Sequence, residues 1–277
     1  MSKTVNPYNT KLDAGNAYWM ARLSHVAYMK DDDDFPDEQG ILADLQQEDA
    51  DFISVTGASE SSAQAILVEH ANYLCMAFRG TDHALDWLDN LKIFKTSVLF
   101  GEFHLGFWSS MQDIWGPISG RYHELRQQDM SAGSEPRPLF LTGHSLGGAM
   151  ATCAASSFID EDKPYTSIYT FGAPRSVSRS TARIYNSEAR DRHYRFQNNQ
   201  DIVSRVPTRT MGFSHVGNCL YIDSDQTIHF DPSYWLRFLD RVEGALDSVK
   251  QMGEVGLVDD HALEEYLEAI EKWDTSF

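Results

Sequence analysis

Apolar and polar residues alternate along this chain with two different periods, and the switches between them mark out its elements. Trp19, Leu23 and Val26 recur at i, i+4 and i+7 inside residues 13–28, the spacing of an amphipathic helix that ends at the acidic run 31–34 ahead of Pro36. Residues 63–69 and 73–78 are apolar stretches separated by His70, Ala71 and Asn72, which predicts two adjacent strands with a short polar connection. A long helix is expected over 107–128, then a loop with Gly133, Pro136 and Pro138, then a short buried strand over 139–141. Helix over 145–158, strand over 167–171, helix over 178–188 and strand over 193–196 complete the series. Short buried strands alternating with helices of about 10 to 15 residues predict an α/β fold of βαβ units, a mostly parallel central sheet with helices on both faces. No internal repeat and no linker interrupts the pattern, so a single domain over residues 1–277 is favoured over two.

The chemistry concentrates where the strand 139–141 turns into the next helix. Gly143-His144-Ser145-Leu146-Gly147 fits G-x-S-x-G in the strand-to-helix context that this motif requires. A serine on so tight a turn adopts strained backbone geometry, and the residues two before and two after it must be small to avoid it; both are glycine. Gly148, Ala149 and Ala151 let the following helix lie close to the sheet and aim its N-terminal dipole at the turn. Ser145 is the candidate nucleophile.

A serine hydroxyl needs a base, and in folds of this kind the acid and base follow the serine along the chain. Asp201 lies where a loop leaves the carboxyl end of the strand 193–196, the end at which sheet enzymes keep their catalytic groups. The rival acids Asp160, Asp162, Asp191 and Asp223 read as solvated loop charges. Four histidines are available downstream. His193 falls within a strand, and His229 sits near Pro232 in a packing or turn position. His215 competes for the role of base, but His261 follows Asp259 and Asp260, which can cap a helix whose apolar face is Leu263, Tyr266, Leu267 and Ile270. A base on a loop at a helix start can reach the serine from above. For the oxyanion, the backbone N–H of Leu146 is one expected donor, and Thr81, in the turn Phe78-Arg79-Gly80-Thr81 after an earlier strand, is the other.

Composition narrows the partners. The chain carries 41 acidic side chains against 23 basic ones, a net charge of −18, which argues against nucleic acid. That charge is local: residues 31–51 hold ten acidic side chains and no basic one, and residues 240–277 hold eleven against three, while the remainder is balanced. We assign it to a loop near the N-terminus and to the C-terminal helices, where it favours solubility and disfavours anionic membrane surfaces. No apolar run reaches the roughly 18 to 20 residues that cross a bilayer. Residues 1–10 carry no visible secretory signal, so the cytoplasm is the default location, although an exported mature form would read the same. Cys75, Cys153 and Cys219 are widely spaced and form no CxxC pair, which fits buried reduced thiols rather than disulfides or zinc.

With these segments assembled, the chain resembles the class 3 lipases, the family of the filamentous-fungal lipases and related feruloyl esterases in the α/β-hydrolase superfamily. The likeness is collinear over about residues 17–267. It rests on Phe78-Arg79-Gly80-Thr81, Asp86-Trp87, His104 with Gly106-Phe107, Gly143 to Gly148, Phe171-Gly172-Ala173-Pro174, Asp201-Ile202-Val203 with Pro207, His215 with Gly217, and Asp260-His261. It implies Ser145, Asp201 and His261 as a triad, Thr81 and Leu146 as oxyanion donors, and a base distinct from His215. Ser204 departs from the family, which often has proline there.

The resemblance also implies a helical lid over the active site at about residues 82–98. The pattern agrees: Leu85, Leu88 and Leu91 fall on one helical face beside Trp87, with Ile93, Phe94, Val98, Leu99 and Phe100 following. A lid would cover the serine in water and turn its apolar face to a lipid interface, making a transient contact; the alternative is a stripe belonging permanently to the core. The expected activity is serine-dependent ester hydrolysis of the triacylglycerol lipase type, needing no metal or cofactor. A feruloyl or phospholipase A1-type esterase sharing the same triad is the alternative, and a non-catalytic binding member of the fold is a third reading.

Overall fold

In the computed structural model, residues 3–81, 91–199, 201–232 and 261–273 are described. Eight strands form the main sheet: β1 (Phe52–Glu60), β2 (Ala63–His70), β3 (Leu74–Phe78), β6 (Leu139–His144), β7 (Ser167–Phe171), β9 (His193–Asn198), β11 (Asn218–Ile222) and β12 (Ile228–Phe230), in the order β1-β2-β3-β6-β7-β9-β11-β12. The five central strands from β3 to β11 run parallel, while β1 and β2 at one edge and β12 at the other are antiparallel. A smaller antiparallel sheet joins β4 (Lys95–Val98), β5 (Gly101–His104), β8 (Val177–Ser178) and β10 (Phe213–Ser214), ordered β10-β8-β5-β4.

The sheet separates two apolar cores because successive side chains on a strand face opposite ways. Leu139 and Leu141 of β6, with Met76 and Phe78 of β3, pack under α3 (Leu105–Ser131), α4 (Leu146–Asp160) and α5 (Arg179–Ala189). Phe140 of β6, with Cys75 and Ala77 of β3, faces α1 (Ala14–Val26), α2 (Glu38–Glu48) and α6 (Leu263–Lys272). This two-sided burial is why the central strands read as unbroken apolar runs. α3 passes through Pro117 without ending. Its buried Phe107, Met111, Ile114, Ile118, Tyr122 and Leu125 hold it to the sheet at helical spacing, which outweighs a missing N–H.

One sequence expectation changes here. The acidic segment near the N-terminus is not a loop throughout: it contains α2, which buries only Ile41 and Leu45 and therefore shows a weak period. Its charges are structural. Asp37 caps the helix by accepting from Gly40 N at 2.9 Å, and Arg22 of α1 pairs with Asp44 and Glu48 at 2.5 and 2.6 Å. At the other end, α6 begins at Leu263 with Ala262 as its N-cap and no side-chain cap, and Asp259 and Asp260, expected to cap it, lie outside the described residues.

Of the expected lid, Leu85, Trp87 and Leu88 lie outside the described residues. Leu91 packs against the core on the α3–α4 side, and residues 95–98 at the far end of the segment form β4, paired with β5. No described helix is long and apolar enough to cross a membrane.

Candidate active site

β6 delivers Ser145 at the carboxyl end of the parallel sheet. Ser145 has φ 57° and ψ −129°, a conformation that costs a side-chain-bearing residue roughly 1–3 kcal/mol and persists only where the surroundings enforce it. The enforcement is visible: a Cβ on Gly143 would strike the backbone of Gly147, and one on Gly147 would strike the Phe78 carbonyl. The expectation that both positions must be small therefore holds for a concrete reason, the close approach of α4 to β6 and β3. Ser145 N donates to Phe171 O at 2.9 Å, tying the turn to β7. The serine Oγ is buried and makes no hydrogen bond among the described residues.

Asp201 follows β9 and is completely buried. Its Oδ1 accepts from Val203 N at 2.8 Å and from Ser204 N at 3.4 Å, and its Oδ2 accepts from the Tyr266 hydroxyl at 2.6 Å. Ser204 Oγ donates in turn to Asp201 O at 2.9 Å. Proline at position 204 would remove both Ser204 donors, the N–H to Asp201 Oδ1 and the hydroxyl to Asp201 O.

His261 reaches the same place from the start of α6. Its Nδ1 lies 3.1 Å from Asp201 Oδ1, and the residue is buried. Gly172 sits against both: with φ +58°, a Cβ there would fall 2.7 Å from Asp201 Oδ2 and 2.9 Å from His261 Nδ1. The structure thus brings Asp201 and His261 together beside the turn that presents Ser145.

The competing histidines are committed elsewhere. His215 is half-buried with Nε2 2.7 Å from the Ser204 carbonyl, which can only accept, so Nε2 carries the proton. Burial and then the cations Arg195 and Arg175 hold its pKa well below the ordinary value. His193 bonds to the Tyr185 hydroxyl at 2.9 Å, and burial reinforced by Arg195 pushes its pKa down to about 3. His229 pairs with Asp223 at 2.6 Å.

The expected oxyanion donors flank the serine. Leu146 opens α4, so its N–H has no acceptor within the helix. Thr81 directly follows Gly80, whose Cβ, were there one, would meet the His144 carbonyl at 2.8 Å and Ser145 Cβ at 3.0 Å. Beside Leu146 opens a cavity of about 270 Å³, lined by Leu91, Phe94, His104, Leu105 and Phe107 among others. Burial pushes the His104 pKa down to about 4, so His104 adds no charge to the wall at neutral pH, and Lys92 is the one charged side chain among the cavity's lining residues.

Reasoning from sequence did not find Tyr266 as a partner of Asp201 or Gly172 as the floor beneath the aspartate and histidine. Gly172 carried a signal, the Phe171-Gly172-Ala173-Pro174 run; Tyr266 carried none beyond its place on an apolar helix face.

The model of the family Lipase (class 3) matches residues 75–211. A secreted mono- and diacylglycerol lipase A of Penicillium cyclopium is 27% identical over 179 residues, 63% of this chain and 52% of the relative. Phospholipase A1-II 1 of Oryza sativa subsp. indica is 28% identical over 173 residues, 55% of this chain and 43% of the relative. The chain thus spans about half the length of these curated relatives. A solved triacylglycerol lipase, described as having a catalytic centre formed by a serine protease triad, superposes with a TM-score of 0.60 at 23% identity, covering 74% of this chain and 78% of that one. The fold is the α/β-hydrolase fold. Thr81, Ser145 and Asp201 fall within the matched interval and His261 beyond it, and over that interval the chain is similar to the class 3 lipases.

Proposed function

We propose that this protein is a serine-dependent carboxylic ester hydrolase of the triacylglycerol lipase type, acting on neutral lipid esters through an acyl-enzyme. The observation that carries the reading is a strained, buried Ser145 in a turn whose neighbouring residue His144 touches His261, itself 3.1 Å from Asp201, at the carboxyl end of the sheet. In this scheme His261 Nε2 takes the Ser145 proton as Oγ attacks the ester carbonyl carbon. The N–H groups of Leu146 and Thr81 hold the resulting oxyanion, and Asp201 stabilises the imidazolium. As the tetrahedral centre collapses, the carbon–oxygen bond to the alcohol breaks and His261 returns its proton to that alcohol. Water then enters by the same route and releases the acid.

The apolar cavity beside Leu146 suits an acyl chain, and the acidic segments at 31–51 and 240–277 disfavour an anionic interface. A phospholipase A1-type reading is supported by the rice relative, a phospholipase A1 by name. The Penicillium relative is named as secreted, which leaves the cytoplasmic default without support.

The test is a series of p-nitrophenyl esters of rising chain length beside triacylglycerol, feruloyl and phospholipid substrates, with wild type and Ser145→Ala compared. Fluorophosphonate labelling of wild type alone, with the highest turnover on neutral acylglycerol, is expected. A folded wild type that neither labels nor hydrolyses any ester overturns the hydrolase reading, and preference for phospholipid replaces the substrate. The lid at residues 82–98 is part of the same proposal: turnover of a short-chain ester should jump at its solubility limit, and a smooth rise removes the interfacial element.

A further inference from the structure

His144, between the glycine and the serine of the turn, is not used in the reaction scheme above, yet its surroundings are specific. On β6, residues 140, 142 and 144 share the face turned to α1. Thr142 Oγ1 lies 3.0 Å from Met20 O and 2.8 Å from Ser24 Oγ, and Tyr28, just past the end of α1, places its hydroxyl 2.8 Å from His144 Nδ1. The N-terminal helix therefore tracks β6 up to the turn.

The other ring nitrogen points at the proposed base. His144 Nε2 lies 2.8 Å from the backbone carbonyl of His261, and the two imidazole rings are 4.6 Å apart at 31°. A carbonyl oxygen only accepts, so Nε2 carries the hydrogen, and in a neutral ring Nδ1 is then the acceptor of the Tyr28 O–H. One proton arrangement satisfies all three groups. Burial, and then the nearness of His261, keep His144 neutral by holding its pKa well below the ordinary value. That neutrality suits a group beside an imidazole that must itself become charged during turnover.

We propose that His144 is a positioning residue for the base: its Nε2–H, donated to the His261 carbonyl, fixes the main chain that carries the base relative to Ser145, and Tyr28 selects the tautomer that provides this donor. The geometry makes this economical. The residue next to the nucleophile grips the residue bearing the base, so serine and histidine are registered through one side chain, although 116 positions separate Ser145 from His261 in sequence. Both grips come from parts of the chain outside residues 75–211: Tyr28 from the N-terminal side and His261 from the C-terminal side.

The inference rests on the hydrolase reading, so the experiment begins with wild type, whose labelling at Ser145 and turnover of p-nitrophenyl butyrate establish that reading or remove it before any variant is compared. His144→Leu keeps a side chain of similar bulk and loses the donor; His144→Gln keeps an N–H at the position of Nε2. Turnover is expressed per Ser145 titrated with fluorophosphonate, so that loss of folded protein does not count. His144→Leu should lower kcat by about 10- to 100-fold while KM stays within about 2-fold, and His144→Gln should recover to within about 3-fold of wild type. An active wild type with His144→Leu at full kcat, with Gln no better than Leu, or with KM and kcat changing together, overturns the proposal. If His144→Leu does not fold, Tyr28→Phe decides: kcat lower by about 3-fold with unchanged KM supports the proposal, and wild-type kcat overturns it.

Discussion

Tyr266 donates its hydroxyl hydrogen to Asp201 Oδ2 at 2.6 Å, from the second turn of the helix whose approach carries His261. The same hydroxyl oxygen accepts from Asn198 N at 2.9 Å, at the end of β9. One phenol therefore ties the C-terminal helix to the strand that leads into Asp201. The acid and the proposed base are held in register by a residue that touches no substrate, just as His144 registers the base with the serine turn.

Tyr266→Phe removes that tie and keeps the ring. A buried carboxylate loses a charge-assisted donor and the Asn198 N–H loses its acceptor, so unfolding free energy should fall by about 1–3 kcal/mol. With Asp201 less well fixed, kcat should drop by about 10-fold. Urea denaturation and steady-state kinetics on the same preparation check both; unchanged kcat would show that the backbone donors Val203 and Ser204 suffice to hold the carboxylate.

Gly172→Ala adds a single methyl where there is no room. The new carbon would press on Asp201 Oδ2 and His261 Nδ1, and the backbone there has φ +58°. Displacing that pair by a fraction of an ångström to one ångström should cost on the order of 100-fold in kcat. Gly120→Ala, on α3 where a Cβ meets nothing, is the control and should behave as wild type.

The sequence made legible whatever short-range constraint dictates. Gly143 and Gly147 around Ser145, the apolar runs of β3, β6 and β7, and the amphipathic helix inside residues 13–28 all follow from local rules, and the structure contains them. Apart from β11, a fully buried strand that was also missed, the elements missed have weak or short patterns. β1 is a half-exposed edge strand, α2 buries two side chains, and the strands of the small sheet are two to four residues long. Tyr266 and His144 were missed as positioning groups for a different reason: their partners, Asp201 and His261, come into range only when the helices cover the sheet.

His261→Ala and His215→Ala should separate cleanly. Removing the proposed base should lower kcat by on the order of 10⁴-fold or more while the fold persists. Removing His215 strips the Ser204 carbonyl of its donor, so stability should fall by about 1–3 kcal/mol and kcat by less than about 10-fold. Kinetics with thermal melts of both variants decide; the reverse pattern would move the base to His215.

The buried neutral histidines make stability depend on pH in a definite direction. His193 has its pKa pushed from 6.5 to about 3, and His104 from 6.5 to about 4, both chiefly by burial. In the unfolded chain these rings take up protons as pH falls through about 6.5, while in the folded chain they do not, so protons favour unfolding. Their stabilising contribution is complete above the unfolded value and is lost progressively as pH drops from 6.5 towards 4 for His104 and 3 for His193. Each neutral ring should cost about 1.4 kcal/mol per pH unit inside its window. His144 and His215, shifted the same way, act with the same sign. Urea midpoints at pH 7.5, 6.5, 5.5 and 4.5 should therefore be level between the first two and then fall steeply. His193→Gln should be less stable at pH 7.5 but show a shallower decline. A wild-type midpoint that stays level down to pH 4.5 would mean that these rings take up protons in the folded protein as readily as in the unfolded chain.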